Sequence, residues 1–314
     1  MLSKDCKIII TGIAGLVGQN LALRLHKAGY ENICGIDKHI NNTNLLKNHQ
    51  PYIDLIAADL ADTGEWQSRL RDCDILVLNQ AQIGGLEYSE FERNNIIATQ
   101  NILSAIDNED APYIVHISSS VVNSKADDFY TQSKTEQENI VRATSHKYTI
   151  LRPTLMFGWF DRKHLGWLRR FMEKVPVFPI PGHGRYQRQP LYVGDFCNVI
   201  IASMEQQADR VIYDISGQET LDYIDLIRTI KRKTKQKTPI VKIPYSLFFL
   251  LLWLAALVLK NPPFTIHQLR ALIIPEVFPI IDWPEIFGIK ATSFEDAVDE
   301  TYNDPDHSSV ILEF

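Results

Sequence analysis

Cysteine is scarce. Cys6, Cys34, Cys73 and Cys197 stand far apart, with no paired spacing that would mark a zinc site or a disulfide framework. They read as reduced thiols, which fits a cytoplasmic protein. No basic, apolar and cleavage-site pattern opens the chain, so a secretory leader is not expected. A positive excess is missing too: 38 acidic against 32 basic residues leave a formal charge of −6, which argues against a general nucleic-acid binder. The histidines show no metal-ligand spacing, and no nucleophile–histidine arrangement asks for hydrolase chemistry. Repeats and low-complexity tracts are likewise absent. What is present is enough apolar material for a core: 45% of the 314 residues are hydrophobic and 22% charged, which excludes a disordered or fibrous chain. That length suits one large α/β domain or two smaller ones.

Short apolar runs alternate with helical patterns through the first half. Strands are expected at Lys7–Ile10, Asn32–Ile36, Asp54–Ala57, Ile75–Leu78, Tyr113–Ile117 and Tyr148–Leu151. Each reads as apolar on both faces, as in a parallel sheet covered by helices on both sides. Helices are expected over Gly15–Ala28, Phe91–Ile106 and Thr131–Ala143, among others. This rhythm predicts an α/β fold with a doubly wound parallel sheet of Rossmann type. From about Arg162 it changes, and Pro176, Pro179, Pro181, Gly182 and Gly184 mark an irregular stretch. Val211–Ile215 is strand-like again. We therefore expect an NAD(P)-binding domain over 1–161, rejoined by 191–216. A smaller, mostly helical substrate domain is expected from 162–190 and 217–314.

Thr11-Gly12-Ile13-Ala14-Gly15-Leu16-Val17-Gly18 follows the first strand and opens the first helix. Gly12 permits the tight turn, Gly15 lets a pyrophosphate approach the backbone, and Gly18 lets helix and strand pack closely. The amides that start the helix, at Leu16 and Val17, offer free N–H groups and the positive end of its dipole. Asp37, at the end of the second strand, is placed to accept both ribose hydroxyls of NAD and to repel the 2′-phosphate of NADP. Lys38 beside it leaves NADP open. Asp59, after the third strand, suits the adenine amine or a helix N-cap.

Tyr130-Thr131-Gln132-Ser133-Lys134 sets a phenol and an ammonium four residues apart on one helix face. A tyrosine with an ordinary pKa of about 10 needs a nearby cation to act as a base near neutrality. Ser118, Ser119 and Ser120 end the fifth strand, at the carboxyl edge where doubly wound sheets bind ligands. One of those hydroxyls is expected to hold a substrate oxygen while Tyr130 moves its proton.

These motifs together resemble the extended short-chain dehydrogenase/reductases of the NAD-dependent nucleotide-sugar epimerase/dehydratase family. The matching residues are Thr11–Gly18, Asp37, Asp59-Leu60, Gln80-Ala81-Gln82, Asn95, Ser118–Ser120, Tyr130 with Lys134, Leu151-Arg152-Pro153, and Arg185 through Asp195. The resemblance implies that Ser120, Tyr130 and Lys134 are the catalytic residues. It implies a cofactor site that adds Leu60, Gln80, Ala81, Asn95 and Pro153 to the glycine loop, Asp37 and Asp59. Gln82, Arg185 and Arg188 are then expected on the substrate side, the two guanidinium forks on its diphosphate. Where family dehydratases carry Asp-Glu after the catalytic hydroxyl, this chain has Val121-Val122, which transfer no proton. Ten positions separate Ser120 from Tyr130, fewer than most such epimerases have, so the loop that covers the substrate is cut short. Two reactions stay open: C4 epimerisation with NAD, towards which Asp37 tilts the reading, and reduction of a 4-keto sugar with NAD(P)H in surface-polysaccharide synthesis. The resemblance also implies a homodimer paired through 91–106 and 131–143.

Leu247–Leu259 contains no polar residue. As a helix it is about 20 Å long, too short to cross a hydrocarbon core of roughly 30 Å. A buried or subunit-contact helix is the plainer expectation. The sharper one is a helix dipping into one leaflet at the inner face of a membrane, over about 245–260. Five cations between Lys231 and Lys237 lie just upstream, and such a pairing favours anionic lipid surfaces. This part of the chain is similar to epimerases of polyprenyl-diphosphate-linked sugars. The stretch Asn261–Leu269, with Phe287-Gly288-Ile289, also resembles the NAD(P)-binding accessory subunit of respiratory complex I, which implies a non-catalytic alternative.

Overall fold

Every expected strand forms, and all join one sheet. The computed structural model describes residues 2–106, 112–258 and 264–313. The strands are β1 (Ile8–Thr11), β2 (Ile33–Asp37), β3 (Asp54–Ala57), β4 (Ile75–Leu78), β5 (Tyr113–Ile117), β6 (Tyr148–Pro153) and β7 (Val211–Ile215). They run parallel in the order β3-β2-β1-β4-β5-β6-β7. The order reverses between β1 and β4, so a crevice opens beyond their carboxyl ends. The glycine loop leaves β1 at that point.

Alternation along each strand feeds two cores. Ile8, Ile10, Val77, Val115 and Ile117 face Leu21 and Leu25 of the helix Leu16–Lys27 and Phe196 and Ile200 of the helix Val193–Gln206. Ile9, Leu76, Ile114 and Ile150 face Ala98, Ile102 and Val141 on the other side. β3 departs from the expected pattern, with Asp54 and Ala57 exposed. It is the edge strand, where one flank lacks a neighbour, and Asp54 pairs with Arg69 at the surface. The four cysteines are all buried and unpaired.

Two helices differ from expectation. Phe91–Ile106 is not one α-helix: a turn at Tyr88–Phe91 leads into a π-helical stretch, Glu92–Ile97, before the α-helix Ala98–Ala105. The wide π turn carries the fully buried Asn95, and such turns often accompany functional sites. The polar-free run forms the helix Tyr245–Val258, while Leu259 and 260–263 lie outside the described residues. It is not a core helix. Phe248 is buried, but Leu247, Leu250, Leu251, Trp253 and Leu254 are nearly half exposed and Leu257 is 66% exposed. A helix apolar all round needs cover on every side, and here Ile266–Ile273 and Phe264 cover only part of it. No helix among the described residues is long and apolar enough to cross a membrane.

Candidate active site

The turn after β1 is shaped by glycines for different reasons. Gly12 has φ +64°, and a Cβ there would lie 2.7 Å from Gln80 Cα. A Cβ at Gly18 would lie 2.5 Å from the Ile13 backbone, so the first helix packs on the turn after β1 too closely for any side chain. Gly15 is the exception: a Cβ would meet only the Gly12 carbonyl, at 3.4 Å. Protein packing does not require glycine there, and the space it leaves opens onto the helix N-terminus. That terminus has no side-chain cap, so the first amides, from Leu16 through Gly18, are available to an anion.

Asp37 accepts the Ala14 amide at 2.9 Å and the His39 amide at 2.8 Å, one on each oxygen. Burial raises its carboxyl above the ordinary range, against the pull of those amides. Each oxygen keeps a lone pair for a ribose hydroxyl. Lys38 is engaged elsewhere, with Asp59 at 3.3 Å and Asn94 at 2.5 Å. Asp59 also binds the Ala61 amide and Arg93, at 3.0 and 3.3 Å. Burial would raise its carboxyl, but these partners outweigh it and hold it below the usual value. Leu60 is buried, and Asn101 donates to its carbonyl and to that of Ala61. These groups fit a dinucleotide: an open helix end for phosphates, a carboxylate for the ribose, and a buried Thr154 hydroxyl without a partner just past Pro153.

Asp128 caps the helix Phe129–Ala143 through the Thr131 amide at 2.9 Å, which presents Tyr130 in its first turn. Burial pushes the Tyr130 phenol above its ordinary value, while a hydrogen-bonding contact with Ser119 acts the other way. Lys134 lies one turn later and is fully buried. Its ammonium donates to the Ile117 carbonyl at 2.9 Å and to Gln137 Oε1 at 2.5 Å. Burial brings it down to about 7, although Glu138 favours the charged form. Among the described hydrogen bonds none joins Tyr130 to Lys134 directly.

The three serines part company. Ser118 donates to Glu138 Oε2 at 2.7 Å and is committed to the fold. Glu138 also takes a two-pronged ion pair from Arg152, at 3.0 and 2.5 Å, which locks the Tyr130 helix onto β6. Ser119 meets the phenol, and Ser120, half-buried, opens the 3-10 turn Ser120–Asn123. Asn95 clamps two segments. Its amide accepts the Gln82 N–H at 2.7 Å and donates to Ser133 Oγ at 2.9 Å. Gln80 is buried against Thr11 and Thr99, while Ala81 is exposed.

Arg185 and Arg188 differ in their surroundings. Arg185 is exposed. Arg188 turns inward, donating to the carbonyls of Leu272 and Ile274 at the end of the helix Ile266–Ile273, the latter at 2.9 Å, with Glu276 at 3.8 Å. Asp304, Asp306 and His307 also cluster, in a turn held by their own hydrogen bonds.

The model of the family described as "NAD dependent epimerase/dehydratase family" matches residues 8–216, more than half of the chain. The chain belongs to that family. By that description, it is a family of NAD-dependent enzymes. Solved structures share the fold. UDP-glucuronic acid 4-epimerase from Bacillus cereus, in complex with UDP-glucuronic acid and NAD, superposes with a TM-score of 0.70 at 20% identity, covering 95% of this chain and 98% of that one. UDP-N-acetylglucosamine 4-epimerase from Methanobrevibacter ruminantium M1 gives 0.73 at 18% identity, over 95% and 97%. A curated relative from Arabidopsis thaliana, NADH dehydrogenase (ubiquinone) 1 alpha subcomplex subunit 9, mitochondrial, is 25% identical over 118 residues. That match spans 37% of this chain and 29% of the relative's length.

Sequence reasoning missed Gln137, Thr99 and the role of Glu138. Spacing placed Gln137 and Glu138 on the Tyr130 helix, but nothing in residue type separates a buried glutamine from a solvated one. Only the four-residue step from Asn95 to Thr99 pointed inward.

Proposed function

We propose that this enzyme inverts C4 of a sugar carried on a nucleotide or polyprenyl diphosphate. One observation carries the reading above all: a buried Lys134 ammonium one turn after Tyr130, at the carboxyl edge of β5, beside a helix end left open for a dinucleotide. NAD would supply reversible hydride transfer at C4, with the keto-sugar turning over between the two transfers. The Leu16, Val17 and Gly18 amides would hold its phosphates and Asp37 its ribose, with Asp59, Leu60, Gln80, Ala81, Asn95 and Pro153 lining the rest of its site. Tyr130, as phenolate, takes the O4 proton, and Lys134 stabilises that phenolate. Ser120, with Ser119 beside it, holds O4 in line. Val121 and Val122 supply no acid or base, which removes the route to dehydration. Residues 162–190 and 217–314 form the substrate side, with Gln82 near the sugar. Arg185 meets the diphosphate directly, and Arg188 does so by exchanging its helix-end carbonyls for phosphate oxygens.

The engaged Lys38 favours NAD over NADP and so the epimerase over a 4-keto-sugar reductase. The Arabidopsis relative supports a second reading, a non-catalytic NAD(P)-binding subunit. The intact Tyr130 and Lys134 weigh against it. Two surfaces complete the proposal. The helices about 91–106 and 131–143 pair two copies. The helix Tyr245–Val258 rests on the inner face of a membrane, helped by the cationic pocket of Arg228, Lys231, Arg232 and Lys235 that reaches Ile240 at the start of the strand leading to it. To test the chemistry, the nucleotide retained by purified protein is identified. UDP-glucose, UDP-N-acetylglucosamine, UDP-glucuronic acid and their polyprenyl-diphosphate counterparts are then followed for C4 inversion. Retained NAD with inversion of one of them is expected. Stoichiometric consumption of NADPH with a 4-keto sugar makes it the reductase; cofactor binding without turnover on the panel makes it the accessory protein.

A further inference from the structure

Lys134 is held from beneath by a run of uncharged groups. Gln137 is fully buried, and its Oε1 takes the ammonium at 2.5 Å. Its Nε2 donates to Thr99 Oγ1 at 2.9 Å, so the amide does not turn over without losing both bonds. Thr99 also accepts Nε2 of Gln80 at 3.0 Å and donates to the Asn95 carbonyl at 2.7 Å. Gln80 Oε1 accepts the hydroxyl of Thr11 at 2.5 Å. Thr11 ends β1, immediately before Gly12. The donor and acceptor directions from the cofactor turn to the ammonium are thereby fixed, link by link.

We infer that Gln137 is a positioning residue that keeps the buried Lys134 ammonium charged and in place, its own amide oriented by Thr99 and Gln80. A buried ammonium without an acceptor gives up its proton, whereas one paired with a buried carboxylate holds it too firmly. A neutral amide oxygen, here with the Ile117 carbonyl, lies between these; burial brings the lysine down to about 7 and Glu138 pulls the other way. The titratable groups facing Lys134 are His116 from β5 and Glu138 from its own helix, with Tyr130 one turn before it. His116 is buried, with its ring pushed well below the ordinary value by burial and by Lys134, and Glu138 is paired with Arg152. From the Asn95–Thr99 side the facing groups are uncharged. The inference rests on reading Lys134 as the cation that serves Tyr130.

The test uses full-length, NAD-saturated protein labelled with 13C at lysine Cε. The Lys134 signal is identified by its loss in Lys134→Met, and its pH midpoint is read. Gln137→Glu is expected to raise the midpoint by about one unit or more, and Gln137→Met to lower it by about one. Thr99→Val, which frees the amide to turn, is expected to lower it by less. A merely structural role destabilises these variants without moving the midpoint in opposite directions. A midpoint unchanged in both Gln137 variants overturns the inference. If Gln137→Met does not fold, the upward shift in Gln137→Glu and the downward shift in Thr99→Val decide. Opposite shifts combined with undiminished turnover in Tyr130→Phe leave the inference standing and overturn the catalytic reading of the pair.

Discussion

Gln80, Thr99, Lys134 and Gln137 form a buried, hydrogen-bonded run beside the glycine turn after β1, while Leu247 through Leu257 stand largely uncovered on the helix Tyr245–Val258. In the first region polar atoms are inside and satisfied by one another. In the second, apolar atoms are outside and only partly covered by the described residues. Each reverses the ordinary distribution, but at different cost. Buried polar groups hold their place only because geometry supplies every partner. Exposed apolar groups need no geometry at all, only a surface of similar character. The first region therefore depends on precise packing within the fold, and the second on what lies outside it.

The sharpest way to break this comparison is at the phenol. Tyr130→Phe removes one oxygen from the ordered region and is expected to lower turnover about 10³-fold, with NAD still retained, as steady-state rates and the bound nucleotide will show. Undiminished turnover means the ordered region serves the fold alone. Next comes Arg152→Met, which leaves Glu138 buried beside Ser118 without its cation. Urea unfolding is expected to show a loss of about 3–5 kcal/mol; a loss below about 1 kcal/mol places that ion pair among ordinary surface pairs. The uncovered region should behave oppositely. Replacing Leu250, Trp253 and Leu257 by serine is expected to change stability little, while co-sedimentation with anionic vesicles drops about tenfold or more. A loss of folding instead of vesicle binding shows those side chains to be internal after all. The smallest effect is at His116, whose buried ring has at most a weak contact with the Leu78 backbone. His116→Leu is expected to leave stability unchanged or raise it by about 1 kcal/mol, since no buried donor is orphaned; a clear loss reveals a partner.

Much of the fold was legible because strand period and buried strands leave strong marks. β1, β2, β4, β5, β6 and β7 formed within two residues of the expected bounds, and Gly12 and Gly18 are required by contacts that the motif implies. β3 kept its place but not its predicted burial, because edge position is a property of strand order, not of composition. The π turn around Asn95 left no mark in periodicity. At the site, Tyr130 and Lys134 were readable from a four-residue step. Which of three adjacent serines was already engaged was not, since Ser118 is claimed by Glu138 from another element.

By itself, the sequence determined the order of strands and helices, the glycine turn that leaves a helix end open, and the phenol and ammonium on one helix face. Those follow from local backbone preference and repeat spacing. Only the tertiary structure decided that Gln137 and Thr99 support Lys134, that Arg188 meets the carbonyls of Leu272 and Ile274, and that the polar-free helix is left largely uncovered by the described residues. Each of these depends on which atoms distant segments bring within reach, and hydrogen bonds and burial are set at that range.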